Sequence, residues 1–409
     1  MSDEMILVER QLIKRTDKRF KEIDDLSFKS KNLYNAALYR VRQYYFENKA
    51  YLSKFDLITI FIKENQVDYR ALPAKVSNYV LFRLDKNFKS FFALLKERKN
   101  KNYNKKVHLP KYLDKLKGRY VLEYHKQALK LKKPGKVTLS KSDLTFLTKV
   151  PNDEIQFLRI VPKIDYYMVE IGYKKQCKEK VVNKNKRYAF VDPGMNNLFT
   201  VTSNVFNPYI INGRPIKSMN HYYNKKKTKI QAELKKKNNL DWSYRLSQLT
   251  LKRKNKINDY KHKATSKLVN QLVSNRIDTL IIGKNVEMKQ DINLGKKTNQ
   301  NFVYIPLAEI IDVLVYKCKL EGIEVILTEE SHTSKCSFID KEEIKHQNKY
   351  VGRRVRRGLF KTKDGYKINA DVNGSLNIGR KYLAKINEYT KELHNQLILN
   401  MNNPKIINL

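Results

Sequence analysis

The chain has 409 residues, 41% of them hydrophobic, enough for two or three buried cores and too many for a disordered polymer. Lys and Arg number 84 against 41 Asp and Glu, a formal charge of +43 that repels itself unless a polyanion is present. No apolar run reaches the ~18 residues needed to cross a bilayer, and three widely spaced cysteines (Cys177, Cys318 and Cys336) exclude a disulfide framework.

In chain order, Glu4 to Lys14 reads as a strand, and the N-terminal MSDEMILVERQLIKR lacks the apolar core of a secretory signal. Residues 27–48 read as a helix, with Leu33, Ala37, Val41 and Tyr44/Tyr45 recurring every three or four positions. A second helix is expected from Pro73, with Leu81, Leu84, Phe88, Phe91, Phe92 and Leu95 on its apolar face. Residues 16–98 thus form a helical insert after one strand. A basic connector follows at 99–118. From 119 to 175 short strands alternate with Pro-Gly and Asn-Asp turns, which predicts a β-barrel closed by the N-terminal strand. The charged stretch 176–186 reads as a linker.

From residue 187 the pattern changes. RYAFVD, LFTVTS and PYIIN read as three strands at hairpin spacing. Two Lys-rich helices are expected near 217–238 and 241–275, then a strand (DTLIIG), a Pro306-initiated helix, a strand (EVILT) and a C-terminal helix. Three strands, then alternating helices and strands, is the order of an RNase H-like α/β domain. The predicted fold class is therefore multidomain α+β.

The charge points to a partner. Lys and Arg run along the whole chain among 26 Tyr and 17 Phe, a pattern suited to a phosphate backbone with bases to stack against. Membrane binders concentrate such charge in one helix or tail. An RNase H-like nuclease needs carboxylates at set places on its sheet, where hard oxygen ligands hold Mg²⁺ or Mn²⁺. Asp192 ends the first strand in FVDPG, although Asp-Pro-Gly is also an ordinary turn. Asp371 opens the last helix in NADVNGSLNIGRKYL, where it also suits a helix cap. The middle acid is missing: TLIIGKN carries Gly283 where a carboxylate is expected. Either catalysis is lost, or the acid comes from the neighbouring strand, which ends in Glu329 and Glu330. These two point to opposite faces, and a strand apolar on both faces leaves the choice open.

The series FVDPGMNNLFTV, LIIGKN, EESHTSKCSFID and NADVNGSLNIGRKYL, in that order, resembles the TnpB proteins of insertion sequences, RNA-guided DNA nucleases related to type V CRISPR effectors. The resemblance covers most of the chain. It implies a wedge-like barrel (1–15 and 99–186), a helical recognition insert (16–98) and a RuvC-like nuclease domain (187–409). It implies Asp192 and Asp371 as the first and third acids. A branch with Gly at the second motif and Glu before [Ser/Ala]-[Tyr/His]-Thr-Ser favours Glu330, with Glu329 in reserve and Asp340 after it. Guide RNA, a double-stranded DNA target and a prokaryotic cytoplasmic, nucleoid-associated setting follow from the same likeness.

One departure concerns zinc. The family usually carries two Cys-x-x-Cys pairs before the final Asp, whereas only Cys336 is present here, so His332, Cys336 and His346 offer at most three of four ligands and no zinc site is expected. Arg353, Arg354, Arg356 and Arg357 occupy that stretch, as a phosphate clamp or a solvated basic loop. The competing function is a nuclease-inactive, RNA-guided DNA-binding repressor, which Gly283 motivates. A transposase acting on DNA by itself lacks its tyrosine motif.

Overall fold

The computed structural model describes residues 3–284, 305–356 and 358–409. The chain divides into two compact units, Glu4–Lys175 and Met1–Asp3 with Gln176–Leu409. Residues 176–186, read from the sequence as a linker closing the barrel region, thus group with the second unit. No described helix is long and apolar enough to cross a membrane.

The first unit opens with β1 (Glu4–Lys14) and four helices: α1 (Phe20–Asn48), α2 (Lys54–Lys63), α3 (Val67–Arg70) and α4 (Ala74–Lys99). α1 buries Ile23, Leu33, Ala37, Leu38 and Val41 on one stripe. It ends at Lys49, whose φ of 52° is left-handed. Pro73 is the N-cap of α4 rather than its first residue, and full burial along that helix ends at Phe88, with Phe91 and Phe92 half-buried. α2 has a signal in the sequence that periodicity alone misses: the Ser53 hydroxyl accepts from the amide of Asp56.

Strands β2 (Leu122–His125), β3 (Leu129–Lys130), β4 (Lys136–Leu139), β5 (Thr145–Leu147), β6 (Ile155–Pro162) and β7 (Tyr166–Gln176) complete the unit. They form a four-stranded sheet, β1-β7-β6-β2, and a three-stranded sheet, β3-β4-β5, around one core shared with the helices. Among the described residues no ladder joins the two sheets, so the barrel expected here is not closed by hydrogen bonds. The N-terminal strand does pair with β7 as its last partner.

The second unit is built on a six-stranded mixed sheet. Its strands are β8 (Tyr188–Pro193), β9 (Asn197–Ser203), β10 (Tyr209–Asn212), β11 (Thr279–Gly283), β12 (Glu324–Thr328) and the C-terminal β16 (Lys405–Ile407). β8, β9 and β10 run antiparallel in sequence, while β11 lies parallel to both β8 and β12, giving the order β12-β11-β8-β9-β10-β16. Helices α5 (Arg214–Asn238), α6 (Tyr244–Ser274) and α7 (Leu307–Leu320) supply the crossovers.

Each face of this sheet has its own core. Ala189, Val191, Leu280 and Ile282 pack with Leu268, Leu272, Ile310 and Leu314 of α6 and α7. Phe190, Ile281 and Ile326 pack on the other face with α8 (Ala370–Lys385) and α9 (Lys391–Leu399), through Val372, Leu376, Ile378 and Leu397. Strands covered on both sides read as continuous apolar runs, as these do. An unforeseen three-stranded sheet, β13 (Arg353–Arg356), β14 (Leu359–Lys361) and β15 (Lys367–Asn369), leads directly into α8.

Candidate active site

Side chains alternate along a strand, so residues two apart share a face. Phe190 faces α8, and Asp192 therefore does too. Ile281 faces α8, and Gly283 follows it. On β12 it is Ile326 that packs on that face, which carries Thr328 and then Glu330 in the same direction. The register agrees: Val191 pairs with Ile282, one residue before Asp192 and Gly283, and Gly283 pairs with Thr328.

Gly283 explains how an acid from β12 gets near β8. The two strands are separated by β11, about 9–10 Å at ordinary strand spacing. A Cβ built on Gly283 would stand 2.7 Å from Oε2 of Glu330 and 2.6 Å from Cδ1 of Ile378. The Glu330 side chain thus lies over the glycine, in the space a side chain at 283 would take. Burial raises the Glu330 carboxyl above its ordinary range, with the charge of Glu329 adding to the effect.

Glu329 has other partners. Its carboxylate accepts from Lys381 Nζ at 2.5 Å and from the Ser331 amide at 2.9 Å. These bonds, the Lys381 one foremost, hold it down at about 2. It is an exposed ion pair on the flank of α8.

Asp192 ends β8, opposite Thr200 of β9. A Cβ on Gly374 of α8 would come within 3.0 Å of Asp192 Oδ2, so the absence of a side chain there lets helix and carboxylate approach. Burial pushes the Asp192 carboxyl well up; the charges of Glu330 and Asp371 push the same way, and Arg354 offsets them in part. The three acids therefore share one electrostatic neighbourhood.

Asp371 lies in the first turn of α8, where the helix dipole favours a negative charge. It is not the cap: the Asn369 side chain accepts from the amides of Asp371 and Val372. Its two oxygens are both engaged. Asn197 Nδ2 donates to Oδ2 at 2.6 Å, and Arg354 Nη2 donates to Oδ1 at 3.3 Å. Among the described residues no group of three His, Cys, Asp or Glu side chains stands close enough together to hold a metal ion.

The polar residues of NADVNGSLNIG fix this arrangement, a role the sequence did not disclose. Asn373 Nδ2 donates to the Cys336 carbonyl, and its Oδ1 accepts from the Phe338 amide. Asn377 Nδ2 donates to the carbonyls of Thr333 and Cys336. The Ser375 hydroxyl donates to the Phe190 carbonyl. All three side chains are fully buried. They fasten the segment after Glu330 and the strand before Asp192 onto the helix that carries Asp371.

The residues weighed for zinc are engaged otherwise. The Cys336 thiol, pushed up by burial, donates to the Glu343 carbonyl at 3.4 Å. The rings of His332 and His346 meet edge to face, 6.0 Å apart. Asp340 accepts from the Lys363 amide and is a turn residue. Arg353, Arg354 and Arg356 are exposed on β13, while Arg357 lies outside the described residues.

The Lys-rich helices are amphipathic. α5 buries Ile216, Asn220, Tyr223 and Ile230, and leaves Lys225, Lys226, Lys229 and Lys235–Lys237 in solvent. On α6, Lys252, Lys254 and Lys256 are exposed.

Comparison with known proteins bears on this site. The OrfB_IS605 family, described as a probable transposase, matches residues 167–289. The Cas12f1-like TNB domain matches residues 308–378. A Cas12f1 structure solved as a complex with sgRNA and target DNA is similar over 88% of this chain and 83% of its own, with 16% identity and a TM-score of 0.54. The mini-RNA-guided endonuclease CRISPR-Cas_phi3 is similar over 98% of this chain and 94% of its own, at 11% identity and a TM-score of 0.47. A Cas12f ternary complex covers 88% of this chain and 82% of its own, at 16% identity and a TM-score of 0.35. No curated protein sequence matches the chain. The two family matches, consecutive along the chain and flanking the acids in the order of the motifs, make this chain a member of the TnpB family.

Proposed function

We propose that the chain is an RNA-guided DNA endonuclease associated with a transposable element. Its second unit is read as an RNase H-like, RuvC-type nuclease domain, on the strength of the β12-β11-β8-β9-β10 order with helices on both faces. Residues 1–15 and 99–186 are assigned to a wedge-like β-barrel region and 16–98 to a recognition insert. The observation that carries the proposal is Glu330 lying over Gly283, on the same face as Asp192 and beside the helix of Asp371.

The donors suit a hard divalent cation. Three carboxylates crowd one neighbourhood, and two of them are held protonated more readily than usual by burial and by neighbouring negative charge. That electrostatic strain is what Mg²⁺ or Mn²⁺ would relieve, and Asp192, Glu330 and Asp371 are assigned as its ligands. When bound, such ions activate water and stabilise the oxygens of a phosphodiester undergoing hydrolysis. The chain's own part is to supply charge and to fix geometry. α8 sets Asp371 against β8, Gly374 admits the Asp192 carboxylate, and the Asn373 and Asn377 bonds hold the segment that follows Glu330. Lysines on α5 and α6 supply the positive surface that a guide RNA and a double-stranded DNA target require, since neutralised phosphates dominate such affinity. Guide pairing would read the target. A prokaryotic, cytoplasmic and nucleoid-associated setting accompanies this reading.

Gly283 also motivates a second reading, an RNA-guided DNA-binding repressor without cleavage. The position of Glu330 favours the nuclease. The test is purified protein with its copurifying RNA, Mg²⁺ and a plasmid library of targets. Guided cutting establishes the nuclease; guided binding without any cutting establishes the repressor.

A further inference from the structure

Asp371 is held by two donors of different kinds, and the difference is informative. Asn197 is neutral and stands at the first position of β9, paired with Asn212 across the sheet. The turn that delivers it is closed by the Gly194 amide bonding to the Leu198 carbonyl at 3.1 Å. Asn197 is therefore fixed by the same hairpin that carries Asp192. Arg354 is charged, sits in the exposed strand β13, and pairs with Phe360 of β14. Its side chain is 44% exposed against 26% for that of Asp371. A long side chain in that setting changes rotamer at little cost, whereas an amide at the end of a sheet strand does not.

We infer that Asn197 is a positioning residue that orients Asp371 for a divalent cation, while Arg354 is an exchangeable counter-ion that the cation displaces. The inference rests on the reading of Asp371 as a cation ligand. Arg354 Nη2 contacts Oδ1, and Asn197 contacts Oδ2. One oxygen is thus committed to orientation and the other to charge compensation. A cation arriving at Oδ1 meets a guanidinium already there. Both cannot occupy it, and the ion with several carboxylates around it wins over a part-exposed arginine with one. Asn197 is untouched by the exchange, because an amide donor carries no charge to repel the ion, and an outer bond of this kind sets the direction in which the other oxygen points. The two side chains should therefore affect cation affinity in opposite directions, which a merely structural role for either does not produce.

The experiment is a manganese titration of the full-length chain, read from the free Mn²⁺ electron paramagnetic resonance signal. Asp371→Ala defines the site as the binding it removes. Arg354→Ala should tighten that binding about threefold to fivefold, the ceiling for loss of a part-exposed ion pair. Asn197→Ala should weaken it about tenfold, as losing a hydrogen-bond partner of a ligand does. Arg356→Ala, the same charge on the same strand, should change it less than about twofold if the effect is local rather than a matter of net charge. Equal tightening by Arg356→Ala, or none by Arg354→Ala, overturns the counter-ion role. Unchanged affinity in Asn197→Ala overturns the positioning role. If Asn197→Ala does not fold, Asn197→Ser replaces it with the same expected direction. If the wild-type chain shows no Mn²⁺ site that Asp371→Ala removes, the cation reading of the carboxylates fails, separately from this inference.

Discussion

Gly283→Ala is the most economical perturbation of the site. The added methyl would stand 2.6 Å from Cδ1 of Ile378 and 2.7 Å from Oε2 of Glu330. Ordinary contact between such atoms begins near 3.5 Å, so each neighbour must retreat by about 0.8–0.9 Å. Ile378 is wholly buried in the α8 core, and overpacking of that kind costs about 1–3 kcal/mol. In a protein of this size that lowers the melting temperature by a few degrees and leaves the fold intact. The effect on chemistry is larger, because the other displaced atom is the carboxylate itself. A misplacement of about 1 Å costs on the order of 100-fold in rate. The assay is single-turnover cutting of a plasmid target by the RNA-loaded protein at saturating Mg²⁺, beside a thermal melt. Cutting within twofold of wild type, with the melt unchanged, would show that Glu330 does not depend on that space. A reciprocal variant tests the same geometry from the other side. Gly283→Glu combined with Glu330→Ala moves the carboxylate onto β11 on the same face and empties the space it needs. It should recover part of the activity that Glu330→Ala alone loses.

Other outcomes follow from the same geometry. Asp192→Ala, Asp371→Ala and Glu330→Gln should each abolish cutting while leaving guided DNA binding within about threefold, whereas Glu329→Gln, which loses only an exposed ion pair worth about 0–1 kcal/mol, should cut normally; parallel cleavage and gel-shift assays decide. RNA affinity should fall steeply with salt, each neutralised phosphate adding about −0.7 to −0.9 to the slope of log K against log salt, and a flat line from 50 to 300 mM would remove the electrostatic argument. His394 is 2% exposed, and burial lowers it to about 4, with the charges of Lys341 and Arg380 assisting. Between its unfolded value of about 6.5 and this folded value, only the unfolded chain takes up the proton, so stability falls as pH drops through that window, by up to about 3 kcal/mol. Urea melts at pH 7 and 4.5 should show a smaller acid loss in His394→Phe than in wild type.

The second unit was more legible from sequence than the first, for a physical reason. β8, β11 and β12 are covered on both faces and stand out as short apolar runs between polar helices. The same property hid the choice between Glu329 and Glu330, because an apolar run has no polar face to mark direction. Only the packing of Ile326 beside Phe190 and Ile281 supplies it. The anomaly at Gly283 was visible, but not that the glycine makes room for another strand's side chain. Asn197 escaped notice because an asparagine in a Pro-Gly turn looks like a turn former. β13, β14 and β15 escaped because strands of three or four residues with basic, exposed side chains carry no period to detect. In the first unit, α2 and α3 were hidden between two long helices, where Ser53 and Gln66 were the available capping signals.

The staples on α8 have a consequence for how this chain can change. The excursion from Phe338 to Asn369 leaves the helix at Asn373, which holds the Phe338 amide, and returns to it at Asn369, which caps the first turn. Its two ends are thus clamped to one rigid rod about two turns from the sheet, and neither acid draws its position from what lies between. A loop fixed at its base admits insertions at a cost that grows only slowly with length. The stretch is therefore an interchangeable cassette. Finger, ribbon or bare hairpin can occupy it, and surface reading of the nucleic acid can diverge there, while the carboxylates keep their spacing.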